Sequence, residues 1–345
     1  MSRSSSEFCN QLVFCIYCYT VKKVVLACAL ILTSLVALAQ DDGTPSFLRD
    51  LTQSDIAKLK RDADAGDAEA QYQVALAYAY GTPVSRNDVS AASWMRRAAD
   101  AGYAPAMASL GLLFQEGRGV DRDLKAAISW MKKAADMNDP DGEFFLAHCF
   151  ENGIGVERDP RQAAEYYDRS TRHGNYEAAV NLGLMYVNGE GIPKDPTRAF
   201  SLFKKAADQG FAKAQTNLGR MYYQGLGVPK DLSLAALWLR KAAEQDSAIA
   251  QTNLGTMYLN GEGVPKDPAE AFKWFLLAED RDAGARRAIA TLNPILTPEQ
   301  RAEAERRATQ WTKLHDPDQQ TLADEVLSAV AESQKKEKQK TASQH

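Results

Sequence analysis

The sequence predicts an all-α protein, an α/α solenoid superhelix of six helix-turn-helix units with capping helices. Three columns of residues predict it. A loop glycine recurs at Gly81, Gly117, Gly153, Gly189, Gly225 and Gly261, always 36 residues apart. An aromatic stands three positions before each: Tyr78, Phe114, Phe150, Tyr186, Tyr222 and Tyr258. An aspartate follows six positions after five of them, at Asp123, Asp159, Asp195, Asp231 and Asp267. A fixed period of this size marks stacked supersecondary units, each burying its apolar face only against its neighbours.

In chain order, the first element is a targeting segment. Lys22 and Lys23 precede an apolar run from Val24 to Ala39 that ends in Ala37-Leu38-Ala39. A short basic stretch, an apolar core and a small-x-small site form a secretory signal peptide, with cleavage expected after Ala39. The run is also short for a membrane span, which needs about 20 residues. Residues 1–20 fit poorly as part of such a signal, and translation from Val21 is the alternative. Removing Arg3, Lys22 and Lys23 from 41 basic residues, and Glu7 from 45 acidic ones, leaves 38 against 44, a net charge of −6. Cys149 is then the single cysteine, so no internal disulfide can form in the oxidising compartment that export implies.

Residues 40–63 read as an N-terminal cap. Ile56 to Ala63 aligns with the second helix of a unit, with Lys58 where Trp94 would stand, as a solvated end requires. The units then run over 64–99, 100–135, 136–171, 172–207, 208–243 and 244–279. In each, apolar residues before the first glycine fall at helical spacing, as Ala214, Leu218, Met221 and Tyr222 do. Glycines inside that helix (Gly183, Gly219, Gly255) predict close approach of a neighbouring helix. The pairs Gly117/Gly119, Gly189/Gly191, Gly225/Gly227 and Gly261/Gly263 are expected to end the helix and turn the chain, taking the left-handed conformation that a cap and a turn need. The aspartate caps the next helix, and Pro160, Pro196 and Pro268 occupy its first position. Trp94, Trp130, Trp238 and Trp274 then mark the second helix. Locally altered turns are expected in repeat one (Ala75, Pro83, Asn87) and repeat three (Asn138, Gly142, Ala147).

The recurring pattern A-x-x-x-L-G-x-x-Y-x-x-G-x-G-V-x-x-D-x-x-x-A-x-x-W-x-x-K-A-A resembles the Sel1-like repeat, a relative of the tetratricopeptide unit. It covers about Asp64 to Glu279. The resemblance implies a curved helical solenoid serving as scaffold or adaptor for proteins. After it, residues 280–315 predict capping helices: Ala283 to Leu292, then a helix opened by the capping box Thr297-Pro-Glu-Gln300 and running to about Leu314. Residues 316–345 read as a polar, largely disordered tail with a short helical stretch at Leu322 to Val330.

No catalytic constellation, metal site or cofactor loop emerges. His148, His173, His315 and His345 have no ligand spacing, and the Gly-x-Gly pairs follow helices, not strands. Cysteine-rich Sel1-like proteins associated with β-lactam hydrolysis supply an enzyme alternative, but a single mature cysteine departs from their pattern. A cell-wall glycan binder is the other alternative. The charge balance argues against nucleic acid as a partner. Membrane contact is expected only if the signal segment is retained, and no oligomeric state follows.

What remains is protein or peptide binding in the periplasm or outside the cell. The first helices are expected to line the concave side. Spacing picks Phe145, Asn181, Asn217 and Asn253 in one column, Arg220 in a second and Gln224 in a third. Amides there can donate to and accept from an extended peptide backbone, or bond neighbouring helices within the solenoid.

Overall fold

The computed structural model describes residues 46–49 and 51–315, and over them the chain is helical without strands. After a short turn, α1 (Ser46–Arg49), come α2 (Gln53–Asp64), α3 (Ala68–Tyr80), α4 (Asp88–Asp100), α5 (Ala104–Glu116) and α6 (Leu124–Asp136). Then follow α7 (Pro140–Asn152), α8 (Pro160–Arg172), α9 (Tyr176–Asn188), α10 (Pro196–Asp208) and α11 (Ala212–Gln224). The chain continues through α12 (Leu232–Glu244), α13 (Ala248–Asn260), α14 (Pro268–Ala278), α15 (Ala283–Leu292) and α16 (Pro298–Leu314). The odd helices α3 to α13 are the first (A) helices of the six repeats, and the even helices α4 to α14 are the second (B) helices. The signal segment at 1–39 and the tail at 316–345 lie outside the described residues.

Each repeat closes on itself through one device. The backbone N–H of the N-cap residue donates to the carbonyl of the A-helix aromatic, as Asp231 does to Tyr222 at 3.0 Å and Asp195 to Tyr186 at 3.0 Å. The same aspartate side chain accepts from the first turn of the B helix, in Asp123, Asp159, Asp195, Asp231 and Asp267 alike. Repeat one keeps the arrangement with Asn87, which accepts from the Ser90 N–H and donates its own N–H to Tyr78; its Thr82–Pro83 peptide is cis. In repeat three Asn138 takes φ +61°, the backbone that Gly102, Gly174 and Gly210 hold elsewhere. Asn tolerates this conformation better than other side chains. The helices survive both departures.

The two glycines of each loop, all left-handed, have different duties. Only the first is a cap. Gly117, Gly189, Gly225 and Gly261 are the left-handed C-caps of their A helices, the Gly225 N–H returning to the Met221 carbonyl. The second glycines, Gly119, Gly191, Gly227 and Gly263, lie past the cap and mark where the loop of one repeat rests on the B helix of the repeat before. A Cβ on Gly119 would strike the Asp88 carbonyl, one on Gly191 that of Pro160, one on Gly227 that of Pro196 and one on Gly263 that of Leu232. Their role is inter-repeat packing rather than helix termination, with a left-handed backbone in addition. Gly183, Gly219 and Gly255 are crowded from within their own repeat, whereas Gly142 is crowded by Ala134 of the repeat before. A Cβ on Gly219 would meet Leu239 at 2.7 Å, and one on Gly255 would meet Phe275 at 2.8 Å. The expected close approach is therefore that of A and B in one unit.

The core is continuous along the stack. One cluster joins Met95 and Ala99 of α4 to Leu110 and Phe114 of α5 and Ala134 of α6, and similar clusters bridge each later junction. Paired alanines such as Ala206–Ala207 and Ala242–Ala243 are buried because three helices converge on them. The tryptophan beside them is half-covered by a cation: Arg97 over Trp94 at 4.0 Å, Lys133 over Trp130 at 4.0 Å and Lys241 over Trp238 at 4.3 Å. That gives the basic residue three positions after tryptophan a physical role.

The C-terminal end departs from the repeat. Helices α15 and α16 both lie on α14 and scarcely touch each other. Trp311 meets Trp274 edge-on at 6.3 Å, and Arg307 bridges Asp267 at 2.9 Å and Glu270 at 3.0 Å. The Thr297–Gln300 capping box opens α16, and a second box, Thr52 with Asp55, opens α2.

Candidate peptide-binding face

Two cavities open between neighbouring A helices, and they occupy the same register. One, of about 470 Å³, lies between α3 and α5 with α4 as its floor. The other, of about 200 Å³, lies between α11 and α13 with α12 as its floor. Their linings match position by position at a spacing of 144 residues, four repeats: Leu76 with Arg220, Tyr80 with Gln224, Met95 with Leu239, Ser109 with Asn253, and Leu112 with Thr256.

The chemistry of the two differs. The α3/α5 cavity is walled by Leu76, Leu112, Leu113 and Met95. Its two arginines are already engaged: Arg86 and Arg118 both pair with Asp88, at 3.3 and 3.2 Å. The bond from Arg86, with Arg118 behind it, holds the Asp88 carboxyl below its usual range. In the α11/α13 cavity Arg220 is exposed and has no ion-pair or hydrogen-bond partner among the described residues. The Gln224 and Asn253 amides beside it likewise make no bond among those residues. The nearby Tyr223 hydroxyl donates to Glu262 at 2.8 Å, so that carboxylate is engaged at the rim.

Three of the six sequence-chosen residues, Arg220, Gln224 and Asn253, thus share one cavity. The other three are used differently. Asn181 donates to the Tyr167 hydroxyl at 3.1 Å, and that hydroxyl donates to Glu151 at 2.7 Å, so this amide serves the solenoid itself. Asn217 donates to the Lys213 carbonyl one turn back at 3.0 Å. Phe145 is half-buried and packs on the core clusters of repeats two and three. The asparagine column does not act as one row.

A buried polar column escaped the sequence pattern. Gln71, Gln215 and Gln251 donate to the Ala63, Ala207 and Ala243 carbonyls at 2.9, 3.3 and 3.2 Å, pinning each A helix to the end of the preceding B helix. Repeat three has Glu143 there, fully buried and paired with Arg169 at 2.8 Å and His173 at 2.7 Å. Arg169 supplies the missing bond, donating to the Ala135 carbonyl at 2.8 Å. The one described cysteine, Cys149, is buried against Met131, and burial pushes its thiol up to about 11. Among the described residues no group of three His, Cys, Asp or Glu side chains could hold a metal ion, and no helix is long and apolar enough to cross a membrane.

The chain compares closely with known repeat proteins. The Sel1 repeat model matches at residues 68–103, 104–139, 140–175, 177–211, 212–247 and 248–282, with the first unit opening on α3, four residues later than a frame counted from Asp64. Among solved structures, a protective antigen of uropathogenic Escherichia coli with an SLR fold is 29% identical at a TM-score of 0.63, over 75% of this chain. This chain spans 56% of the antigen's length. A Sel1 repeat protein from Oxalobacter formigenes is 31% identical at a TM-score of 0.60, over 66% of this chain and 100% of its own. No curated protein gives a significant match. Six consecutive matched units, covering most of the chain, show that it belongs to the Sel1 repeat family.

Proposed function

We propose that this protein is an exported, non-catalytic adaptor that holds a peptide segment of a partner protein along the concave face lined by its A helices. The observation that carries this is the α11/α13 cavity, where Arg220, Gln224 and Asn253 converge without a use in the fold. Polar side chains that a fold leaves unpaired in a concavity are those available to a ligand. Export rests on the basic and apolar pattern ahead of Ala39.

A hydrolase with a cysteine nucleophile is disfavoured by the one thiol among the described residues. A nucleophilic cysteine needs a lowered pKa and access, and Cys149 has neither.

Photo-cross-linking in living cells tests the proposal. A photoreactive residue at exposed Thr256, at the cavity, should give one discrete protein adduct, while one at exposed Lys241 on α12 should give none. Adducts from Lys241 alone would move binding to the B-helix side. The export half is tested by N-terminal sequencing of the protein made in cells, which should begin at Gln40; an intact start retained in the cytoplasm would contradict it.

A further inference from the structure

We propose that the A-helix face grips one extended peptide at two separated points, an acidic side chain at the α11/α13 cavity and an apolar side chain at the α3/α5 cavity. This rests on the peptide-groove reading above and adds the chemistry of the ligand.

The matched register is the starting point. A repeat fold offers the same inter-repeat pocket at every junction, so differences in lining report what each has been shaped to accept. Leu76 becomes Arg220 and Leu112 becomes Thr256 at equivalent positions, replacing two aliphatic side chains by a cation and a hydroxyl. At two of the three junctions between, the register is taken up by the protein's own groups. Phe145 stands where Ser109 and Asn253 stand, and the Tyr167 hydroxyl network with Glu151 and Asn181 stands where Met95 and Leu239 leave room.

Charge selects the occupant of the polar pocket. Arg220 is its only lining cation, and a guanidinium presents a planar donor fork that matches a carboxylate. The free Asn253 and Gln224 amides can donate beside it. Arg86 and Arg118 in the other pocket share Asp88, and Glu116 lies 3.5 Å from Arg118, so two carboxylates already balance two guanidiniums there and the leucine walls favour an apolar side chain. Packed helices lie about 8–10 Å apart, so four repeats span on the order of 40 Å, and about a dozen extended residues separate the two contacts.

Random 20-residue peptides displayed on phage and selected on the full chain test this. Selected sequences should share an Asp or Glu and, about a dozen positions away, a large apolar residue. A synthetic selected peptide should bind Arg220→Glu at least about tenfold more weakly, and its acid-to-lysine version should bind Arg220→Glu better than it binds the unaltered chain. Leu112→Asn should weaken binding while leaving the acidic preference intact. Circular dichroism checks that both variants fold. Selected peptides that weaken with Leu112→Asn but carry no acid and ignore Arg220→Glu would overturn the two-point proposal and leave the groove standing. An empty selection, or peptides indifferent to both substitutions, would overturn the proposal and the groove reading together.

Discussion

Gly210 and Gly227 both hold positive φ, +94° and +71°, but a Cβ on Gly210 would meet nothing within 4 Å while one on Gly227 would strike Pro196. A left-handed backbone costs an L-residue about 1–2 kcal/mol, and overpacking adds about 1–3 kcal/mol. Urea unfolding should therefore show Gly210→Ala losing only the first amount and Gly227→Ala losing both; equal losses would contradict the loop-on-helix contact. The sequence reveals the glycine pair but not why the second is needed, because Pro196 lies in the preceding repeat, beyond any local pattern. The same blindness covers Gly119, Gly191 and Gly263, whose partners Asp88, Pro160 and Leu232 also lie one repeat back. Cys149 gives a second residue-scale expectation. Its thiol is pushed up to about 11 from an ordinary 9.0 by burial, so the fold favours the neutral form. That contribution is complete below pH 9 and is lost as pH rises toward 11. Alkylation of Cys149 at pH 8 should wait on unfolding, and rapid labelling of the native chain would contradict its burial.

Among the helices, caps and spacing were legible and long-range docking was not. The 36-residue period places every A and B helix, and the Thr297 box places the start of α16. The box at Thr52 goes unnoticed in the sequence because Asp55, rather than Glu or Gln, closes it. The buried column of Gln71, Gln215 and Gln251 gives no signal in the sequence, since their partners are carbonyls at the end of another helix. The fold-back of α16 onto α14 follows no repeat and so left no periodic trace. It does make two equivalent caps unequal. Asp195→Ala should cost about 1 kcal/mol, the usual worth of an N-cap, because its pair with exposed Arg198 is a surface contact. Asp267→Ala should cost somewhat more, about 1–2 kcal/mol, because the same carboxylate also holds Arg307. Amide exchange in α16 should quicken for Asp267→Ala and stay unchanged for Asp195→Ala; the same exchange in both would separate α16 from that ion pair.

Across the whole molecule, stability is a sum of repeats and junctions, and the same modularity governs the site. Half of the candidate site was legible: spacing alone brought out Arg220, Gln224 and Asn253, which the fold gathers at one junction. The rest was hidden by substitutions between repeats. Tyr167 on a B helix reaches Asn181 on the next A helix, and nothing in the asparagine column announces which members are already bonded. The most direct test of the A-helix face as the binding surface is hydrogen–deuterium exchange of the full chain with and without its cross-linked partner peptide. Slowed exchange in α11 and α13, with α12 and α14 unchanged, is the predicted result. Slowed exchange in α12 and α14, with α11 and α13 unchanged, would contradict it.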